Sequence, residues 1–157
     1  MLNKREVLEN FIRIQEERIK QMEASLGKTQ RDARESPGSN VSHSDTMKFQ
    51  FSNLALGIQK RISEANEAIR SLRQITIEQK TVGVIVGGSL IGLKNTDTDE
   101  VIFYMFIPEK GGELVEIDGQ KIMSVSVTAP LFNAVRGKKK GDELDFKGKT
   151  IEIIEVQ

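Results

Sequence analysis

The sequence has no cysteine and no tryptophan, and holds one histidine, one tyrosine and three prolines among 157 residues. Without cysteine there are no disulfides, thiolate metal sites or cysteine nucleophiles, which agrees with a reducing compartment. His43 has no second imidazole to share a metal with, and no Ser-His-Asp set can be argued, so a solvated loop histidine is the plainer reading. No run approaches the roughly 18 apolar residues of a membrane span. The opening stretch MLNKREVLENFIRIQEER threads charges through its apolar positions. These absences together predict a soluble, cytoplasmic protein with no membrane partner.

An excess of either charge is also missing. The chain carries 23 Lys+Arg against 23 Asp+Glu, a formal charge of zero. Residues 1–77 hold 13 and 10 of these and residues 78–157 hold 10 and 13, so the halves stand at +3 and −3. Neither half is basic enough for bulk binding to duplex nucleic acid, which leaves open only a local basic patch. A length of 157 residues allows one or two small domains. With 29% charged and 5% aromatic residues, the composition fits a long solvated helical element.

That element is visible in the spacing. From Val7 to about Arg34, Leu8, Ile12, Ile19, Met22 and Leu26 recur on one helical face, flanked by Phe11 and Ile14, while Lys4, Glu6, Glu9, Glu16, Glu17, Lys20 and Glu23 fill the other. Ser36-Pro37-Gly38-Ser39-Asn40 breaks the pattern. Ser44-Asp45 can then cap a second helix, in which Phe51, Leu54, Ile58, Ile62, Ala65, Ile69 and Leu72 form a near-heptad seam. Two such helices joined by a short loop make an antiparallel hairpin, because each seam needs a cover. Some 30 residues per helix give an arm about 45 Å long.

After Ile75 the period becomes alternating. Strands are predicted at Thr81 to Val86, Ser89 to Lys94, Val101 to Ile107, Ile122 to Thr128, Glu143 to Phe146 and Thr150 to Val156, with glycine-bearing turns between them. One short helix is predicted from Ala129 to Gly137, capped by Thr128. The fold class is therefore α+β: a coiled-coil hairpin over 1–76 with its tip at about 36–45, and a small, mainly antiparallel sheet with one short helix over 77–157.

Several signals have plain explanations. Asn95, Asp97 and Asp99 alternate like a calcium loop, but Glu100 stands where the sharp turn needs glycine, so a β-turn is the better reading. The glycines at 83, 87, 88 and 92 lack both phosphate-loop spacings. Lys138-Lys139-Lys140 could contact phosphate, although an exposed loop run is the plainer reading. At the hairpin tip, Lys28, Arg31, Asp32, Arg34, Glu35, His43, Asp45 and Lys48 gather. Hairpin tips are naturally polar. A long arm nevertheless carries its tip somewhere, where basic residues can meet nucleic-acid backbone and a carboxylate can help hold Mg²⁺.

The stretch Ser124-Val125-Ser126-Val127-Thr128-Ala129-Pro130-Leu131-Phe132-Asn133-Ala134-Val135-Arg136-Gly137-Lys138-Lys139-Lys140-Gly141-Asp142-Glu143-Leu144 resembles the C-terminal signature of the bacterial Gre transcript-cleavage factors. That signature runs Ser-x-Ser-Pro, a short helix ending in Gly-Lys, then Gly-Asp-Glu and a strand. Leu93 to Val101 and Ile151 to Val156 are similar to its neighbouring strands. The resemblance implies an FKBP-like C-terminal domain that docks on bacterial RNA polymerase, with the coiled coil entering the secondary channel. It also implies that the chain is no enzyme itself and has no intrinsic cofactor, the Mg²⁺ being shared with the polymerase active site near the nascent RNA 3′ end.

The family's tip pattern is Asp-x-x-Glu-Asn-Ala-Glu-Tyr. Against it Asp45 takes the second acidic position, Ser42 the first, and Phe49 the place of Tyr. The resemblance thus assigns Asp45 and Ser42 to assisting catalysis, Asp45 with Glu35 to metal, and Arg31, Arg34 and Lys48 to RNA. A serine hydroxyl is a weaker Mg²⁺ ligand than a carboxylate. Three readings therefore stand: a factor that stimulates cleavage of backtracked RNA, a non-cleaving regulator in the same channel, and a hairpin interaction module unrelated to polymerase. A prolyl isomerase is disfavoured, since that activity needs an aromatic-lined pocket and the chain has no Trp and only Tyr104.

Overall fold

A computed structural model describes residues 2–35, 41–75 and 83–157, with the side chains of 41–45 outside that set. It contains helices α1 (Lys4–Glu35), α2 (Val41–Arg73) and α3 (Pro130–Val135). The strands are β1 (Leu90–Asn95), β2 (Val101–Ile107), β3 (Leu114–Ile117), β4 (Gln120–Ser126), β5 (Glu143–Phe146) and β6 (Lys149–Val156). Two compact units emerge, one of residues 13–69 and one of residues 1–12 with 70–157. No helix among the described residues is long and apolar enough to cross a membrane.

In the unit of residues 13–69, helical periodicity accounts for burial. Among the covered positions of α2, Phe51, Ala55, Ile58, Ile62, Ala65 and Ile69 follow a regular alternation of four and three. This corrects the expected seam: Leu54 is 53% exposed and Ala55 takes its place, because only residue 55 keeps the 3.5-residue period. On α1 the corresponding series is Ile19, Met22, Leu26, Thr29 and Ala33. α2 begins at Val41, so Ser44 and Asp45 lie inside the helix and do not cap it. The expected loop at 36–40 falls outside the described residues.

The other unit holds one six-stranded sheet in the order β3-β4-β2-β1-β6-β5. All neighbours are antiparallel except β2 and β4, which run parallel from Phe103↔Ile122 to Ile107↔Ser126. The parallel pair arises because β4 folds back on β3 and slots between β3 and β2. Turns at Asp118-Gly119 and Lys147-Gly148 have positive φ at both central residues, as two-residue hairpins require to match strand twist. On one face of the sheet Ile85, Ile91, Leu93, Phe106 and Ile153 form a core with Phe132 and Val135 of α3. Leu90, Phe103, Met105 and Ile122, alternate to these along the strands, are buried too. Leu2, Val7, Leu8, Phe11 and Leu72 are buried members of the same unit.

Three local expectations are corrected. Val84 makes only an isolated bridge to Lys139, so the segment expected as a strand from 81 to 86 forms none among its described residues. Gly83 at φ 66° bends the chain there, and Ile85 bonds the loop after α3 instead. β3 has no counterpart among the strands that the sequence predicts. Its Leu114 is 54% exposed beside buried Val115, so apolar residues fall on both faces and the alternation is masked. α3 is capped by Ala129 without a side-chain bond, while the Thr128 hydroxyl pairs with that of Ser126 at 2.8 Å.

Candidate functional site

A cleft is found in each unit among the described residues. The first lies on the sheet and encloses about 230 Å³. Leu93 of β1, Ile102 and Tyr104 of β2, Leu131 of α3, Phe146 of β5 and Ile151 of β6 form its apolar lining. Strand alternation aims these residues at the face that α3 covers in part. Asn95, Glu100, Lys147 and Lys149 rim it. Lys147 Nζ sits 5.5 Å from the Phe146 ring centroid, within cation–π range. The turn before β2, next to that rim, is held by two contacts: Asn95 Oδ1 accepts from Asp97 N–H at 2.9 Å, and Lys94 pairs with Asp99 at 2.7 Å. That hydrogen bond raises the Lys94 pKa and lowers that of Asp99. The segment expected as a β-turn is therefore one, and Asp99 is committed to a cation of the chain.

Tyr104 is the informative group of this cleft. Burial, with Glu100 second, pushes its phenol above its ordinary value. A raised folded pKa means stability that is full below about pH 10 and is lost as pH rises through the folded value. As the only tyrosine, with no tryptophan beside it, its phenolate absorbance reports one residue. The native midpoint is expected above that of the urea-unfolded chain, and Glu100→Gln is expected to bring it part of the way down. Coincident native and unfolded midpoints would contradict this.

The second cleft lies between the helices in the unit of residues 13–69 and measures about 410 Å³. Thr29, Gln30, Ala33 and Arg34 of α1 face Lys48, Phe51, Ser52 and Ala55 of α2 across it. Its cause is legible in the residue sizes. Thr29, Ala33 and Ala55 occupy covered positions with small side chains, so the seam opens where larger residues had filled it. The Thr29 hydroxyl is satisfied by the Ser25 carbonyl at 2.9 Å.

Of the residues read from the sequence, Arg34 and Lys48 come together at this cleft. Arg31, Asp32 and Glu35 are exposed on α1, and Arg31 Nε donates to the Gly27 carbonyl at 3.4 Å. Ser42, His43 and Asp45 belong to α2, with side chains outside the described set. Among the described residues no three His, Cys, Asp or Glu side chains stand close enough to hold a metal ion. Sequence reasoning missed Phe51, Ser52 and Ala55 as cleft residues. The signal was available in the charge-free run from Phe49 to Gln59, within which Phe49 is 68% and Leu56 63% exposed.

No family model matches the chain. It is 32% identical over 105 residues to the transcription elongation factor GreA of Francisella tularensis subsp. novicida strain U112, and equally to that of subsp. tularensis strain WY96-3418. Each match covers 64% of this chain and 62% of the relative, so the chain spans under two thirds of the relatives' length. Over those 105 residues the sequence is similar to the GreA transcription elongation factors. Among solved structures, GreA factor homolog 1 of Thermus thermophilus aligns at 17% identity over 96% of this chain and 94% of that one, with a TM-score of 0.38. The GreA/GreB factor of Nitrosomonas europaea aligns at 20% identity over 59% and 78%, with a TM-score of 0.36.

Proposed function

We propose that the chain is a cytoplasmic elongation factor that binds bacterial RNA polymerase, inserts its helical hairpin into the secondary channel and modulates elongation. The observation that carries this is the 32% identity to GreA factors. In the proposal the apolar cleft lined by Ile102, Tyr104, Leu131 and Phe146 docks on the polymerase, since a desolvated apolar centre within a charged rim is how specific interfaces are built. Arg34 and Lys48, which share one cleft, contact the phosphates of the nascent RNA 3′ end, with Arg31 nearby in sequence. The chain is no enzyme: the reaction and its Mg²⁺ belong to the polymerase. Asp45, supported by Ser42 and by Glu35, brings carboxylate oxygen towards the attacking water.

A second reading, a regulator that occupies the channel without promoting cleavage, is favoured by Ser42, which stands where the Gre pattern has an acid. The two separate on 3′-labelled RNA in backtracked elongation complexes, tested with wild-type protein and Asp45→Ala. RNA shortening that the substitution removes is the expected result. Retention on polymerase with no shortening would establish the second reading, and failure of polymerase to retain the wild-type protein would overturn both.

A further inference from the structure

The basic run after α3 takes part in neither cleft. Lys138, Lys139 and Lys140 follow Arg136 between Gly137 and Gly141, which take φ values of 80° and 91°. Although it reads as a loose surface loop in sequence, the structure ties it to the core at both ends. Ile85 N–H donates to the Lys138 carbonyl at 2.8 Å, and Gly137 N–H donates to the Ile85 carbonyl at 3.0 Å. At the other end Gly141 N–H donates to the Ile153 carbonyl at 2.8 Å, and Ile153 N–H to the Asp142 carbonyl at 3.0 Å. Ile85 and Ile153 are fully buried. Across the turn, Lys139 N–H bonds Asp142 Oδ2 at 2.9 Å and Asp142 N–H returns to the Lys139 carbonyl at 3.1 Å.

The result is a fixed backbone frame that presents Arg136, Lys139 and Lys140 to solvent, with Lys138 half-buried. It belongs to the half of the chain with a net charge of −3, so the cations are concentrated here against an acidic background. A frame already ordered loses little entropy on binding. Adjacent lysines act as point charges and suit a partner with repeated negative charge. No residue of the run from Arg136 to Gly141 is aromatic, so it offers no platform on which an unpaired base could stack. We propose that this loop is a sequence-independent contact site for the phosphate backbone of duplex nucleic acid, separate from the hairpin and independent of polymerase binding. Cations beside the C-terminal end of α3 also suit the helix dipole, but that role leaves no trace in the salt dependence of binding.

The test is fluorescence anisotropy of the full chain with a short duplex DNA of mixed sequence, taken through a salt series. Each phosphate contact contributes about 0.9 to the slope of log affinity against log salt. Lys139→Gln with Lys140→Gln is therefore expected to reduce that slope by about 1.8 and leave the thermal midpoint unchanged. Absence of duplex binding at low salt, or an unchanged slope in this variant, would overturn the proposal. So would a loss confined to Arg34→Gln with Lys48→Gln, which would put the nucleic acid on the hairpin. A lysine variant that loses retention on polymerase while keeping duplex affinity would overturn it as well, and would assign the loop to an acidic protein surface.

Discussion

Phe106→Ala is expected to lower the unfolding free energy of the sheet unit by about 3–5 kcal/mol, the cost of emptying a buried phenylalanine site. Phe106 is fully buried on β2, a strand paired on both sides. Its ring meets Phe132 of α3 edge to face, with centroids 4.9 Å apart and planes at 64°. Such a pair adds about 0.5–1.5 kcal/mol beyond its buried area. Since domains hold only about 5–15 kcal/mol in total, the substitution takes a large share of the margin. The effect would extend to function. α3 also carries Leu131 into the apolar cleft, and a helix of six residues has few other anchors. A urea titration followed by circular dichroism should show the midpoint falling at constant m-value; a loss below about 1 kcal/mol would mean that the core closes over the gap.

Gly111→Ala should be nearly as costly, for a different reason. A Cβ at residue 111 would lie 2.6 Å from Ser126 N, 2.7 Å from Val125 Cα and 2.8 Å from the Ser124 carbonyl oxygen. All three are backbone atoms of β4 and cannot swing aside as a side-chain end can. The same stretch holds the entry to β3 in place through three bonds: Gly112 N–H to the Ser124 carbonyl at 2.7 Å, Ser124 N–H to the Glu113 carbonyl at 2.8 Å, and Glu113 N–H to Ser124 Oγ at 3.0 Å. Making room for the methyl strains or breaks these, at about 1 kcal/mol each and more where buried Ser124 is left unpaired. A loss of about 3 kcal/mol is expected, with amide hydrogen exchange rising first in β3 and β4. Uniform exchange across the sheet, or no loss of stability, would contradict this account.

The hairpin was legible because each helix repeats its apolar residues every three or four positions for many turns, which few other structures explain. The Leu54 error shows the limit of that reasoning. A leucine looks more like a seam residue than the alanine beside it, yet only residue 55 keeps the heptad period. Strands β2 and β5 were legible to the residue, since Val101 to Ile107 is a continuous β-rich run and Glu143 to Phe146 ends at a Lys-Gly turn. The parallel pairing of β2 with β4 was not, because strand order depends on contacts distant in sequence and alternation is blind to direction. Nor was β3, whose four residues include an exposed leucine. For the candidate sites, charge at the hairpin end was readable directly. The cleft between Ala33 and Ala55 was not, since it depends on which small residues face each other.

The sheet order also sets a timetable for synthesis. Residues 4–73, which make both long helices, are complete before any strand has been made. β1 and β2 can then pair at once, and β3 with β4 soon after, across turns of few residues. The far edge of β1 must wait for β6, whose residues 151–156 lie some 60 positions downstream of their partners 91–95. Until then β1 carries an open row of amides and carbonyls, the kind of edge on which one nascent chain can pair with another. Lys94 in β1, with Asp97, Asp99 and Glu100 just beyond it, puts charge beside that edge through the interval.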